Sequence, residues 1–231
     1  MLLNQPLLLQ ACLDGKFGTI FEYGRSCVCE AGFIYLLGEA DEGILFELKN
    51  RWNNRMFICM TPQWEDALVT AYPGMVHVTR YQMKYEPDIM DEKVLCRYTE
   101  MLPPEYRLTM FDQSVFDQKP FMHASTYPSY EDFQREASGA VVWYQDRIVS
   151  SASSFLSWEK QLELDVVTAK EHRRKGLAIA CASAMLLDCR TRGLGVHWDA
   201  QNPASRSMAE KLGYRLDCTY QAYSFIAPEE P

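Results

Sequence analysis

Lys170-Glu171-His172-Arg173-Arg174-Lys175-Gly176 places four permanent cations in six residues and ends on a glycine. The apolar run Leu177 to Leu187 follows at once. It is too uniformly apolar for a surface helix and is expected as a helix buried on nearly every side. Just upstream, Leu162, Leu164, Val166 and Thr168 alternate with Glu163, Asp165 and Val167, the period-two pattern of a strand. A strand, a cationic turn and a buried helix N-terminus together make an anion site. The first helical turn has unpaired N–H groups, and the helix dipole adds about half a positive charge there. Gly176 lets backbone approach a bulky anion with no side chain between. The natural guest is a phosphate or pyrophosphate. Glu163 and Asp165, two apart, share one strand face, either as reactive carboxylates or as a solvated face paired with nearby cations.

The elements that must position this turn belong to a chain of 231 residues, long enough for one large domain or two small ones. It is 48% apolar and 13% aromatic, enough for a substantial core. The net charge of −8 argues against general nucleic-acid binding, so the basic turn is a local reversal of sign. Cys27-Val28-Cys29 is the tight pair among eight cysteines, and no second pair stands at zinc-ribbon spacing. Reduced, structural cysteines are expected. The four histidines, His77, His123, His172 and His197, show no metal-ligand spacing. The start lacks a basic segment and is broken by Pro6, a poor signal peptide. No apolar run approaches the roughly 20 residues of a membrane span. A cytoplasmic protein with no metal, membrane or nucleic-acid partner is expected.

In chain order, residues 1–30 are hard to assign beyond a short N-terminal helix. Strands are then expected at Phe33–Leu37, Arg55–Met60 and Met75–Tyr85, with helices at Glu42–Trp52 and Gln63–Ala71. Thr61-Pro62 reads as an N-cap and first helical residue. A short helix at Asp91–Glu100 leads to Leu102-Pro103-Pro104, the best boundary, giving an N-terminal α/β region over 1–105 and a second domain over 106–231. In the latter, strand Tyr106–Met110, helix Tyr130–Ala137 and hairpin Gly139–Tyr144 with Arg147–Leu156 precede the central strand. Leu194–Ala200 is the next strand, Asn202-Pro203 opens a helix ended by Gly213, and Tyr214–Ile226 closes the chain as strand.

Three phosphate-binding designs compete. G-x-x-x-x-G-K-[ST] does not occur, and the three-glycine dinucleotide loop needs more glycines than Gly176. Arg173-x-x-Gly176-x-Ala178 resembles the [QR]-x-x-G-x-[GA] pyrophosphate loop of the GNAT acetyltransferase superfamily. The order hairpin, strand, loop, helix, strand and Asn-initiated helix ending in Leu-Gly-aromatic resembles it over about residues 106–226. Trp198-Asp199-Ala200-Gln201-Asn202 through Ser205 to Ala209-Glu210-Lys211-Leu212-Gly213-Tyr214 is similar to the branch related to the zwittermicin A resistance acetyltransferase.

The resemblance implies an α/β (α+β) GNAT fold, with a mixed, largely antiparallel sheet flanked by helices and preceded by a smaller N-terminal α/β region. It implies acetyl-CoA as acyl donor and N-acetyl transfer to a small-molecule amine. The pyrophosphate would lie over the N–H groups of Arg174, Lys175, Gly176, Leu177, Ala178 and Ile179, with Arg173 and Arg174 as added donors. The pantetheine arm would follow Val166, Val167 and Thr168, where this strand and the next splay apart in the superfamily. Asn202 and Ser205 would reach toward the arm, although by themselves they read as helix capping. Glu163 or Asp165 would be the general base. Ala209 stands where many relatives carry a tyrosine acid, leaving Tyr214, Tyr223 or an unassisted thiolate. His123 flanks the acceptor region with Phe121, Met122 and Tyr127. A non-catalytic acyl-CoA sensor and a peptide or protein acetyltransferase are the rival readings, and a homodimer is compatible with either.

Overall fold

The computed structural model describes residues 6–122 and 126–227. They fall into two compact units, Met1–Gln82 with Cys218–Pro231, and Met83–Asp217. The divisions fall inside strands, and the Leu102-Pro103-Pro104 turn lies within the second unit.

The chain opens with helix α1 (Leu7–Leu13), then strands β1 (Thr19–Tyr23), β2 (Ser26–Ala31) and β3 (Phe33–Gly38). The hairpin β1–β2, hidden in the stretch the sequence leaves unassigned, turns at Gly24-Arg25. Gly24 has φ +58° there, a conformation that glycine adopts without a steric cost. Helix α2 (Glu42–Arg51), strand β4 (Met56–Cys59), helix α3 (Pro62–Ala71) and strand β5 (Val76–Lys84) follow. Asp41 caps α2 by accepting the Ile44 N–H at 3.0 Å. Thr61 stands at the N-cap of α3 without a side-chain cap bond; its hydroxyl reaches the Gly38 carbonyl instead. In this unit β3 and β4 pair in parallel. Ile34, Leu36, Leu48, Phe57, Trp64 and Leu68 form its core.

The second unit starts with helix α4 (Glu92–Glu100), capped by Asp91, and strand β6 (Tyr106–Met110). Helices α5 (Gln113–Gln118) and α6 (Tyr130–Glu136) are capped by Asp112 and Ser129. Strands β7 (Gly139–Tyr144), β8 (Arg147–Trp158) and β9 (Gln161–Thr168) form an antiparallel meander with β6. Helix α7 (Leu177–Arg192), strand β10 (Gly195–Ala200), helix α8 (Pro203–Lys211) and strand β11 (Arg215–Ser224) complete the chain. Strand β10 pairs in parallel with β9; the end of β11, which belongs to the first unit, pairs antiparallel with β4. The sheet is mixed, largely antiparallel and flanked by helices.

Helix α7 is the spine of the second unit. It packs against β7, β8 and α4, with Ala180, Cys181, Ala182, Ser183, Met185 and Leu186 all buried. The facing strand presents Ser150 and Ala152, both fully buried. Small side chains on both partners let backbone approach backbone without voids. The other face of the sheet carries a second cluster, with Phe111, Phe116, Tyr127, Phe133 and Val141. All eight cysteines are free thiols. Among the described residues no helix is long and apolar enough to cross a membrane.

The Ser183 hydroxyl is buried in α7 without a hydrogen-bond partner among the described residues. An unpaired buried hydroxyl keeps its desolvation cost and gains nothing back, so Ser183→Ala should stabilise the fold by about 1 kcal/mol. Urea denaturation followed by circular dichroism measures this, and a destabilised variant would contradict it.

Candidate active site

The site is organised by what β9 pairs with. One edge of β9 is bonded to β8 along its length, from Trp158↔Gln161 to Ser150↔Thr168. The other edge is matched to β10 only at Gln161, Leu162 and Glu163, opposite Gly195, Val196 and His197. Both strands then continue, β9 to Thr168 and β10 to Ala200, with no register pair between them among the described residues. The Leu164–Thr168 edge is therefore open to an extended ligand. Two features account for the divergence. A bulge in β8 between Ser154 and Leu156 breaks the register, and bulges bend the strand pair that carries them. Trp198 of β10 is drawn to α8, donating to the Ser205 hydroxyl at 3.1 Å and packing edge-on against Tyr214.

The open edge runs into the cationic turn. Lys170–His172 forms a single 3-10 turn and Arg173 is extended. Arg174 has φ +63° and Gly176 φ +79°; the first costs a non-glycine residue about 1–2 kcal/mol. At Gly176 a Cβ would meet nothing within 4 Å. The space beside the glycine is thus open, and the left-handed backbone is a second reason for glycine that spacing alone does not reveal. Helix α7 then starts without a side-chain cap, leaving its first N–H groups available to an anion. Arg173, Arg174, Lys175 and Gly176 are exposed, Leu177 is buried, and Ala178 and Ile179 are half-buried. Arg173 Nε donates to the Thr168 carbonyl at 3.2 Å. Lys175 turns instead toward β6, where its ammonium donates to the Tyr106 hydroxyl at 2.9 Å.

The remaining expected residues have mixed placements. Val166 and Val167 are half-buried on β9 opposite Ala152 and Ser151, and the Thr168 hydroxyl meets Ser150 Oγ at 2.7 Å. Asn202 caps α8, accepting the Ser205 N–H at 2.9 Å, while Ser205 Oγ accepts from Trp198. Both side chains therefore have work within the fold. Glu163 and Asp165 are half-buried on one face of β9, and the register adds a residue the sequence did not single out. His197 lies directly opposite Glu163, so the two share a face. Burial holds the His197 imidazole below its ordinary value, which favours the neutral ring. Nothing in the sequence could announce this partner, because the register of a parallel neighbour is a tertiary property.

Both hydroxyls considered for the leaving thiolate are engaged elsewhere. Tyr214 donates to the Val196 carbonyl at 3.0 Å, and burial raises its pKa well above the usual value. Tyr223 donates to Glu65 in the first unit. Ala209 is fully buried in α8. Tyr127 is core rather than pocket wall, bonded to Ser154 Oγ at 2.5 Å and packed on Phe133. His123 lies outside the described residues. No group of three or more His, Cys, Asp or Glu among the described residues could hold a metal ion.

An open strand edge leading into an uncapped, cation-rich helix start defines a site for an extended molecule with an anionic end. A family model of the GNAT acetyltransferases matches residues 2–223, and the chain belongs to that family. Its sequence is similar to the uncharacterized N-acetyltransferase YdfB of Bacillus subtilis, 26% identical over 131 residues, covering 54% of this chain and 50% of that protein. The match thus spans about half the length of that relative. Its fold is similar to a GCN5-related N-acetyltransferase-like protein from Streptococcus suis, with a TM-score of 0.84 and 29% identity over 95% of this chain and 92% of the other. A GCN5-related N-acetyltransferase from Kribbella flavida shares the fold at a TM-score of 0.58 and 14% identity, covering 93% and 91% of the two chains.

The depressed imidazole of His197 has a stability consequence. Its folded pKa lies below the unfolded value, so its neutral burial is fully accommodated above the unfolded pKa of about 6.5 and costs stability as pH falls through that value toward the folded pKa. His197→Gln should lose less stability than wild type between neutral pH and about pH 5. Thermal melts across that range test it, and parallel curves would show that His197 contributes nothing to the acid sensitivity.

Proposed function

We propose that this chain is an acetyl-CoA-dependent N-acetyltransferase acting on the amine of a small molecule. The observation that carries the reading is the continuity of the open β9 edge with the uncapped start of α7. An amide-bearing arm can pair with Val166, Val167 and Thr168 as an added strand would. A pyrophosphate can then lie over the N–H groups of Arg174 to Ile179, with Arg173 and Arg174 beside it. Asn202 and Ser205 stand at the start of α8 as further contacts to the arm. In this division of labour the transfer machinery occupies residues 106–231. The 1–105 region is a functional rather than a packing partition, since α4 packs with the second unit.

The reaction needs an amine held against a thioester, and proximity supplies much of the rate. Glu163 or Asp165, directly or through water, takes a proton from the attacking ammonium. The freed amine attacks the thioester carbonyl, strand N–H groups stabilise the oxyanion, and the C–S bond breaks. The sulfur leaves as thiolate, which a thiol pKa near 8.5 permits, and it takes up the extra proton that the amide nitrogen sheds. This fits the engagement of Tyr214 and Tyr223 elsewhere and the presence of Ala209. A net charge of −8 and two carboxylates on the reacting face favour a cationic acceptor. The likeness of the Trp198–Tyr214 segment to the zwittermicin A resistance branch also fits a small aminated substrate.

Ala209 also motivates a second reading, a non-catalytic acyl-CoA sensor. Thiol release from acetyl-CoA across a panel of polyamines, aminated antibiotics and lysine peptides separates the two. Turnover is expected on at least one small amine, and tight binding without turnover on any amine would favour the sensor. With that amine, Glu163→Gln or Asp165→Asn should lower kcat/KM about a hundredfold at neutral pH; wild-type rates in both variants would remove the carboxylates from the mechanism. Gly176→Asp should abolish coenzyme A binding, because the open space beside the glycine would hold a carboxylate against the phosphates. Retained affinity by calorimetry would overturn the cradle.

A further inference from the structure

We propose that Tyr106 is a positioning residue that clamps the anion turn in its binding shape, an inference that rests on the cofactor reading above. Two side chains of the turn converge on one hydroxyl. Lys175 Nζ donates to Tyr106 Oη at 2.9 Å, and Tyr106 Oη lies 2.9 Å from His172 Nδ1. An ammonium has only protons to give, so the phenol oxygen accepts from Lys175. The arrangement that uses every proton then sends the phenol O–H to His172 Nδ1, with the imidazole proton on Nε2.

The clamp is itself fixed. Tyr106 is buried, only 7% exposed, and is the first residue of β6. Its N–H donates to the Pro103 carbonyl at 2.9 Å, which ties it to the Leu102-Pro103-Pro104 turn. Its ring leans on Tyr144, with centroids 5.3 Å apart, and Tyr144 also contacts His172 at 4.9 Å. His172 and Lys175 flank the two residues of the turn whose backbone carries the anion geometry, Arg173 and Arg174. Arg173 is held separately through Thr168. The left-handed Arg174 is therefore bracketed by restraints, and among the described residues its own guanidinium makes no hydrogen bond or ion pair. Conformations of this kind persist where the surroundings over-determine them. Removing the hydroxyl of Tyr106 releases two of the brackets at once and leaves the ring packing intact.

Tyr106→Phe tests this with two readouts. Its affinity for coenzyme A by calorimetry should fall roughly three- to tenfold, and the loss should fall on the KM for acetyl-CoA rather than on that for the amine. Trypsin should nick the folded variant faster than wild type after Lys170, Arg173, Arg174 and Lys175, with the fragments assigned by mass spectrometry. Lys175→Met should weaken binding too, and the double variant should lose less than the two losses combined, as coupled residues do. If wild type and Tyr106→Phe bind coenzyme A equally and are nicked at equal rates, the clamp is overturned while the cradle stands. If wild type itself fails to bind coenzyme A, the cradle falls and the clamp's role in binding falls with it.

Discussion

The structure depends on where the β9–β10 ladder stops. Parallel strands hold each other by backbone hydrogen bonds, and a strand that loses its neighbour midway leaves a row of N–H and C=O groups in want of partners. Such an edge is a liability unless a ligand, a loop or a partner covers it. Here Leu164–Thr168, beyond the register shared with β10, lies directly upstream of the cationic turn, so that stretch of β9 and the turn are contiguous. The bulge in β8 and the attachment of Trp198 to α8 are the local devices that keep the strands apart.

The turn at the end of that stretch depends on a division of its cations. Arg173 bonds the Thr168 carbonyl and Lys175 bonds Tyr106, so these charges hold the loop in shape. The carboxylate face of β9 is built differently. Glu163 and Asp165 come from one strand, and His197 joins them from the next. The buried faces of the sheet, against α7 on one side and the Phe111–Phe133 cluster on the other, hold these groups in register.

Much of this fold was legible because its signals are local. Asp91, Ser129 and Asn202 cap the helices whose starts they mark. The alternation of residues 162–168 and the apolar run from Leu177 mark strand and helix nearly to the residue, α7 extending further to Arg192. Thr61 shows the limit of such reasoning, since it holds the N-cap position while its hydroxyl bonds elsewhere. The β1–β2 hairpin was not legible, its strands being short, cysteine-bearing and partly exposed at the sheet edge. The packing boundary was not legible either: β11 rejoins the first unit from the far end of the chain, and no composition change marks a division made by strand pairing.

The sequence by itself marked the cationic turn. A run of cations, a glycine and a buried helix start are contiguous, and contiguous residues need no folding to be neighbours. It also placed Glu163 and Asp165 on one face, because strand geometry alternates side chains whatever the fold. Only the tertiary structure decided that the β9 edge is open, that His197 faces Glu163, and that Tyr214 donates to Val196. It alone brought Tyr106 to Lys175, 69 residues away in sequence. Each of these is a contact between elements whose separation along the chain carries no information about their register, and packing of the whole core selects that register.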